Sequence, residues 1–466
     1  MRLVSTEIYV PGQHQRLGTG FLLDHPRGML VADPGLGKTA MSLSALDLLR
    51  MGGSSFFPAI VIAPKRVADV VWTNEASKWA AFADLKVVKV MGEKDSRLAA
   101  LRRSIADLYV INYDNIPWLT QVFGAGENWP FKIVIADESS KLKGHRMSKG
   151  GVRAQALSTI AKFTGRWWNL TGTPCPNGLQ DLWGQMWFID FGERLKRTYT
   201  DYLNSFFIED RYTRRISTQN RAEEDIHELV KDRMMVLRAE DWLPIEKTQE
   251  IPIEVEIPPD AYRQYREMEK DYFLHLTDKD IEAGTAAVKS QKTLQIASGS
   301  VYDDAGVVHH IHNAKIEALE DIIEQITPEP LLIAYWWKFD VERILSAMKR
   351  LNVSAELYNG AESEDRWNAG KLRVLLLQEQ SAFGVSLHKV CRNMCFYSYY
   401  WNAELWQQMI ERIGPARQVQ AGFKRVVRVW SIRTVGTIES DVVDSNERKI
   451  SIEQALKRAR ARRQNG

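Results

Sequence analysis

Short apolar runs rich in Val, Ile and Leu punctuate the first part of the chain, at Gly28–Ala32, Ala59–Ala63, Leu85–Val90, Leu108–Asn112, Ile133–Ala136 and Trp167–Leu170. Between several of them lie stretches of helical period, for example Asp69–Ala80 and Gly151–Lys162. Continuous apolar runs predict strands buried on both faces, and their alternation with helices predicts βαβ units and a parallel sheet. The alternation lapses from about Phe191 to Gly299, where LNSFFIEDRYTRR, EEDIHELVKDRMM and AYRQYREMEKDYFLHL are charged, aromatic and mostly helical in period. It returns with Leu331–Trp336, Ser354–Tyr358, Arg373–Leu377, Asn393–Tyr399 and Val426–Ile432. The pattern predicts an α/β chain: a first parallel-sheet lobe over residues 1–190, helical protrusions and a linker over 191–299, and a second lobe with a basic tail over 300–466.

Composition narrows the class only slightly. The 466 residues are 45% hydrophobic and 26% charged, ordinary values for a globular protein of two or three domains. No apolar run has the length of a signal peptide core or a bilayer span, so a cytoplasmic protein with no membrane partner is expected. Cys175, Cys391 and Cys395 form no zinc-ligand set and are expected as buried, reduced thiols. The net charge of +3 is too small to announce a nucleic-acid partner. The terminal LKRARARRQNG could track phosphates or simply be a solvated helix end.

Chemistry enters at ADPGLGKT, Ala32–Thr39, directly after the apolar run Met29–Val31. A strand turning through glycines into Gly-Lys-Thr and a helix is how a chain holds a nucleoside triphosphate. Asp33, Pro34, Gly35, Leu36, Gly37, Lys38 and Thr39 are therefore candidate ATP-binding residues, with Lys38 on the β- and γ-phosphates and Thr39 on Mg²⁺. The strict pattern has Gly where Ala32 stands, and the alternative is a glycine-rich turn with an ordinary surface lysine. Downstream, the run FKIVIADE ends in Asp137-Glu138. An acid pair at the end of a buried strand suits Asp137 to Mg²⁺ and Glu138 to activating the attacking water as general base, the alternative being solvated acids capping a strand. ATP and Mg²⁺ are the expected cofactors.

With these residues in place, the sequence resembles the superfamily II helicases, and among them the Swi/Snf-type double-stranded DNA translocases, over nearly its whole length. In PGQHQRLGTGFLL, Gln15 takes by similarity the role of reading the adenine edge. VIAPKRVADVVWTNEASKW carries Pro64, Trp72, Glu75 and Trp79 in matching places, and DLYVINYDNI resembles the next strand and turn. DESSKLKG is similar to the DEAH-like box, with Ser140 where histidine is usual. LTGTPCPNGLQDLWGQMWFI is the most specific match, through Thr171, Gly172, Thr173, Pro174, Asn177, Leu179, Leu182 and Trp183. Its Thr171 and Thr173 hydroxyls, beside the acid pair, suit coupling of phosphate state to lobe movement.

In the second half, VLLLQEQSAFGVSLHKV resembles the glycine-rich segment that contacts DNA and nucleotide, with Gly384 and Ser386 matched and Ser381, Ala382 and Phe383 in place of more flexible positions. YYWNAELWQQMIERIGPARQ resembles the last family motif through Gln408, Arg412 and Gln418. Pro415 occupies the second arginine position and Arg417 lies two residues on. Arg412 is the first candidate for the arginine finger and Arg417 the second, with a salt bridge or a DNA-phosphate contact as the alternative role.

The resemblance implies two RecA-like lobes closing on one ATP and a DNA-dependent ATPase moving along double-stranded DNA. Other activities it leaves open are a strand-separating helicase on forked DNA or RNA, an ATP-gated nucleic-acid clamp, and a motor subunit of a nuclease complex. Duplex or forked DNA is the expected partner, with a nuclease or a replication or recombination factor as a further candidate. The compact form is more similar to phage or bacterial members than to eukaryotic remodellers, which places it in a bacterial or phage-infected cytoplasm. The 15 tryptophans are assigned to core packing rather than to bases.

Overall fold

Most of the apolar runs become interior strands of two sheets, paired on both sides, while Leu85–Val90 and Ser354–Tyr358 supply edge strands. The computed structural model describes residues 7–103, 105–124, 126, 128–146, 150–176, 178–209, 216–274, 290–378 and 385–448. It divides into two units, Met1–Leu243 and Pro244–Gly466.

In the first unit the strands are β1 (Arg27–Ala32), β2 (Ala59–Ala63), β3 (Val87–Lys89), β4 (Leu108–Asn112), β5 (Ile133–Asp137), β6 (Arg166–Thr171), β7 (Phe207–Glu209), β8 (Ile216–Thr218) and β9 (Met234–Leu237). Seven of them form one sheet in the order β3-β4-β2-β5-β6-β1-β9, while β7 and β8 pair with each other. Every pairing in the large sheet is parallel. The register sets Val31 beside Thr171 and Asp137 beside Leu170. The C-terminal ends of β1, β5 and β6 therefore emerge side by side, and the three segments that carry the candidate chemistry leave the sheet at one edge. Trp72, Trp129, Trp167, Trp168 and Trp183 are fully buried in this unit, as core packing requires.

The second unit contains β10 (Gln249–Val255), β11 (Ser300–Tyr302), β12 (Val308–His310), β13 (Leu331–Tyr335), β14 (Ala355–Leu357), β15 (Val374–Gln378), β16 (Asn393–Phe396) and β17 (Arg428–Thr434). Its main sheet runs β10-β17-β16-β13-β15-β14 and is again parallel throughout. Two parallel-sheet lobes are thus present.

The stretch 191–299 is less helical than its period suggests, since it contributes an edge strand to each sheet. EEDIHELVKDRMM is a helix only over Ala222–Val230, and Met234 and Met235 go into β9. There the Arg233 carbonyl accepts from the Met29 N–H at 2.8 Å, so pairing with β1 overrides the local period. LNSFFIEDRYTRR likewise leaves its helix at Phe206 and continues as β7. In β10, QEIPIEV shows alternating burial and holds Pro252, which an edge strand tolerates because one side of its backbone needs no partner. Among the described residues no helix is long and apolar enough to cross a membrane. Cys391 and Cys395 are buried free thiols, and burial pushes both up to about 12, which keeps them neutral.

Candidate nucleotide site

The phosphate loop spans the gap between Ala32, the last residue of β1, and the helix Lys38–Met51. Gly35 and Gly37 sit at φ of 90° and 85°, a conformation that glycine adopts without a Cβ clash. At Gly37 the requirement is doubled, because a Cβ would stand 2.5 Å from Nε2 of Gln15. Gln15 is fastened to this loop: its Nε2 donates to the Leu36 carbonyl at 3.4 Å and its Oε1 accepts from the Gly12 N–H at 2.9 Å. The Lys38 ammonium donates to the Ala32 carbonyl at 2.6 Å, so the side chain arches back over the loop. Thr39 follows on the first turn of the helix, half-buried.

Asp33 plays a part the sequence does not reveal. Its Oδ2 accepts from the Ala239 N–H at 2.8 Å and its Oδ1 from Arg238 at 3.2 Å. Its own N–H donates to the Leu237 carbonyl at 3.1 Å. The carboxylate thus anchors the loop to the end of β9.

Asp137 closes β5 and is 5% exposed. Its Oδ2 accepts from the Trp72 indole N–H at 2.9 Å and its Oδ1 from the Glu138 N–H at 3.1 Å. The Tyr113 hydroxyl donates to the Asp137 carbonyl at 3.0 Å. Burial raises the carboxyl's pKa, while the Trp72 bond and the nearby Lys38 charge act against that rise. The loop lysine and the strand-end acid are thus electrostatic neighbours. Glu138 has φ of 53° and opens the 3₁₀ turn Ser139–Leu142. A non-glycine residue in the left-handed region costs about 1 kcal/mol or more, a form of strain that clusters at functional sites. Ser140, in the place of the usual histidine, is buried.

The Thr171–Pro174 segment leaves β6 beside both. Thr171 is buried and its Oγ1 accepts from the Thr173 N–H at 3.1 Å. A Cβ on Gly172 would meet Pro34 at 3.1 Å, so this segment packs directly on the phosphate loop. Lys38, Asp137, Glu138, Thr171, Gly172 and Thr173 are therefore brought together in one unit, while Asn177 lies outside the described residues. Trp72, a sequence match without a stated role, and Tyr113 emerge as groups that hold the acid. The signal for Trp72 was its place in the VWTNEASKW segment.

A second constellation assembles in the other unit around Val385–Leu387. The Arg412 side chain is buried, its Nε donating to the Gln408 carbonyl at 2.7 Å and its Nη1 to the Val385 carbonyl at 3.4 Å. The Leu387 N–H donates to the Arg412 carbonyl at 3.3 Å. Half-buried Arg417 reaches the Ser386 hydroxyl at 2.9 Å. Desolvation lowers its pKa, and Glu411 and Glu364 counter the fall. Gln418 is structural: it donates to the Cys391 and Ile413 carbonyls and accepts from Arg425 at 2.7 Å. Gly384 and the basic tail lie outside the described residues.

A glycine-turned phosphate loop, an acid pair and a Thr-Gly-Thr-Pro segment on adjacent strands of a parallel sheet define an ATP-hydrolysing enzyme of the superfamily II helicase class. The chain belongs to the SNF2-related family, whose domain description matches residues 14–302. It is similar to protein p41 of Acyrthosiphon pisum secondary endosymbiont phage 1, with 41% identity over 463 residues covering 98% of this chain and 99% of that protein. It is also similar to the SWI/SNF-related matrix-associated actin-dependent regulator of chromatin subfamily A member 1 of Mus musculus, 22% identical over 92% of this chain and 41% of that protein. This chain thus spans about two fifths of the length of that relative. Among solved structures, the Sulfolobus solfataricus SWI2/SNF2 ATPase core in complex with dsDNA matches with a TM-score of 0.45 at 18% identity, covering 95% of this chain and 92% of that one.

Proposed function

We propose that this chain is a DNA-dependent ATPase that couples hydrolysis to movement along double-stranded DNA. The observation that carries the reading is the close approach of Gly172 to Pro34, on the side of the sheet where the segments carrying Lys38 and Asp137 emerge. It gives the segment after β6 a direct mechanical link to the loop that would hold the phosphates. Membership of the SNF2-related family supports the DNA track.

In this reading the backbone N–H groups of the loop and the dipole of its helix hold phosphate oxygens, with Lys38 adding charge. Gln15, already against the loop, takes the adenine side. The residues fit Mg²⁺: a carboxylate has about four lone-pair sites, and the two donors on Asp137 leave capacity for a metal or its water, with the Thr39 hydroxyl as the other ligand. Bound there, the ion would neutralise charge on the β- and γ-phosphates. Glu138 serves as the base that orients water, and in the second unit Gln408, Arg412 and Arg417 are assigned to hydrolysis. Thr171, Thr173 and Ser386 serve in coupling.

The test is phosphate release with duplex, single-stranded, forked and RNA substrates, run beside triplex displacement and unwinding. Duplex-stimulated turnover that displaces a triplex strand without opening the duplex is expected. Strand opening would make the chain a helicase, little DNA-stimulated turnover would leave an ATP-gated clamp, and equal rates from wild type and Glu138→Gln would remove Glu138 as the base. Co-purification of a nuclease would point to a motor subunit.

A further inference from the structure

Behind the acid pair, the helix Leu182–Asp190 is pressed onto the turn Ser139–Leu142. A Cβ on Gly184 would stand 2.7 Å from the carbonyl oxygens of both Leu142 and Lys143, so only glycine permits this approach. The next residue, Gln185, is fully buried. Its Oε1 accepts from the Ser139 hydroxyl at 2.9 Å. Its Nε2 donates to the Pro174 carbonyl at 2.5 Å and to the Asp181 carbonyl at 3.1 Å. Rotating the amide by half a turn would face oxygen to two carbonyls, so these partners fix its orientation. Its backbone carbonyl accepts from Asn169 on β6 at 2.8 Å, and Asn169 is held in turn by the Trp167 indole at 2.9 Å.

One side chain therefore joins the turn that follows Glu138 to the end of the Thr-Gly-Thr-Pro segment, and its own backbone is clamped to the strand between them. A leucine or methionine would fill the same volume. A buried amide is costly unless every group on it is matched, and one that is matched holds its partners at a fixed separation.

We propose that Gln185 is a positioning residue that transmits displacement between the Glu138 turn and the Thr171–Pro174 segment. The proposal rests on the ATPase reading above and adds to it the element through which the two segments move as one. Carried by hydrogen bonds rather than apolar contact, the link is directional: the carboxamide cannot follow Ser139 without pulling on Pro174.

The test uses the full chain with Gln185→Met, Ser139→Ala and the double variant. Two readouts are taken: hydrogen exchange of the Thr171–Cys175 amides with and without ADP–beryllium fluoride, and kcat and KM for ATP on duplex DNA. In wild type the analogue slows exchange in this segment. In Gln185→Met the analogue still binds, with Kd within about twofold, but the exchange difference disappears. DNA-stimulated kcat falls about fivefold to tenfold, the size of one or two uncharged hydrogen bonds, with KM unchanged. The double variant is no worse than Gln185→Met, as expected for two groups in one link. Should Gln185→Met fail to fold, Ser139→Ala removes only the hydroxyl and carries the same readouts. An exchange difference that survives in the variants, or is missing from wild type that binds the analogue, overturns the proposal. Wild type that binds no analogue would instead overturn the nucleotide site itself.

Discussion

The indole N–H of Trp72 donates to Oδ2 of Asp137 at 2.9 Å, across 65 residues of sequence. Trp72 is fully buried at the start of the helix Trp72–Lys78, immediately after a π-helical turn at Val67–Val71, a feature frequent at functional sites. The bond favours the ionised carboxylate against the burial that disfavours it. Trp72→Phe keeps the packing and removes the donor. A hydrogen bond to a charged acceptor contributes about 1.5–3 kcal/mol, so turnover should fall about tenfold or more. Because the lost bond had lowered the Asp137 pKa, the acid limb of the turnover–pH profile should move to higher pH. A variant with the wild-type rate and acid limb would show that the bond does not set the acid's state.

Lys38 donates to the Ala32 carbonyl within its own loop and lowers the Asp137 pKa through space. Lys38→Ala should cut ATP turnover by about 10²–10³, the scale of losing one charge-stabilising donor, while DNA binding measured by anisotropy stays near wild type. Turnover that persists in the variant would refute the loop assignment.

Central strands were legible because β2, β4 and β5 are buried along their full length, and burial on both faces leaves an uninterrupted apolar run. β9 and β10 were not: Met234–Leu237 is a four-residue run at the end of a stretch of helical period, and Gln249–Val255 is charged and alternates in burial. The phosphate loop and acid pair were legible because their chemistry is local in sequence. The local motif offers Asp33 as a nucleotide contact, whereas its bond to Ala239 lies 206 residues away, beyond any local pattern. Gln185 gave no signal for the same reason: its bond to Ser139 spans 46 residues.

Arg412 and Arg417 approach Val385–Leu387 in different ways, which separates their expected phenotypes. The Arg412 guanidinium is buried against the carbonyls of Gln408 and Val385. Arg412→Ala strips both of a donor and should lower stability by about 1–3 kcal/mol along with turnover. Arg417 is half-buried and bonded to one hydroxyl. Arg417→Ala should leave the thermal midpoint near wild type and reduce kcat without raising KM for ATP. Thermal melts and steady-state kinetics on both variants check this. The pure kcat loss expected at Arg417 would move the finger assignment there from Arg412, the first candidate; the same signature at Arg412 with unchanged melting would keep it at Arg412.

His145 gives the first unit an acid-sensitive point behind the acid pair. Its ring, 1% exposed, is parallel to Trp183 at 5.8 Å and packs on Trp187 and Phe188, all on the helix that carries Gln185. Neither ring nitrogen has a hydrogen-bond partner among the described residues. Burial first, and the Arg146 charge second, lower the imidazole from its ordinary 6.5 to about 4. Between these values the unfolded chain binds the proton and the folded chain does not, so stability rises with pH across the interval. Its contribution is complete above 6.5 and is lost as pH falls towards 4. Denaturant unfolding of wild type should therefore show stability falling from about pH 7 to about pH 5, and His145→Phe, which keeps an aromatic ring in the nest, should flatten that slope. An equal slope in the variant would assign the acid sensitivity to other groups.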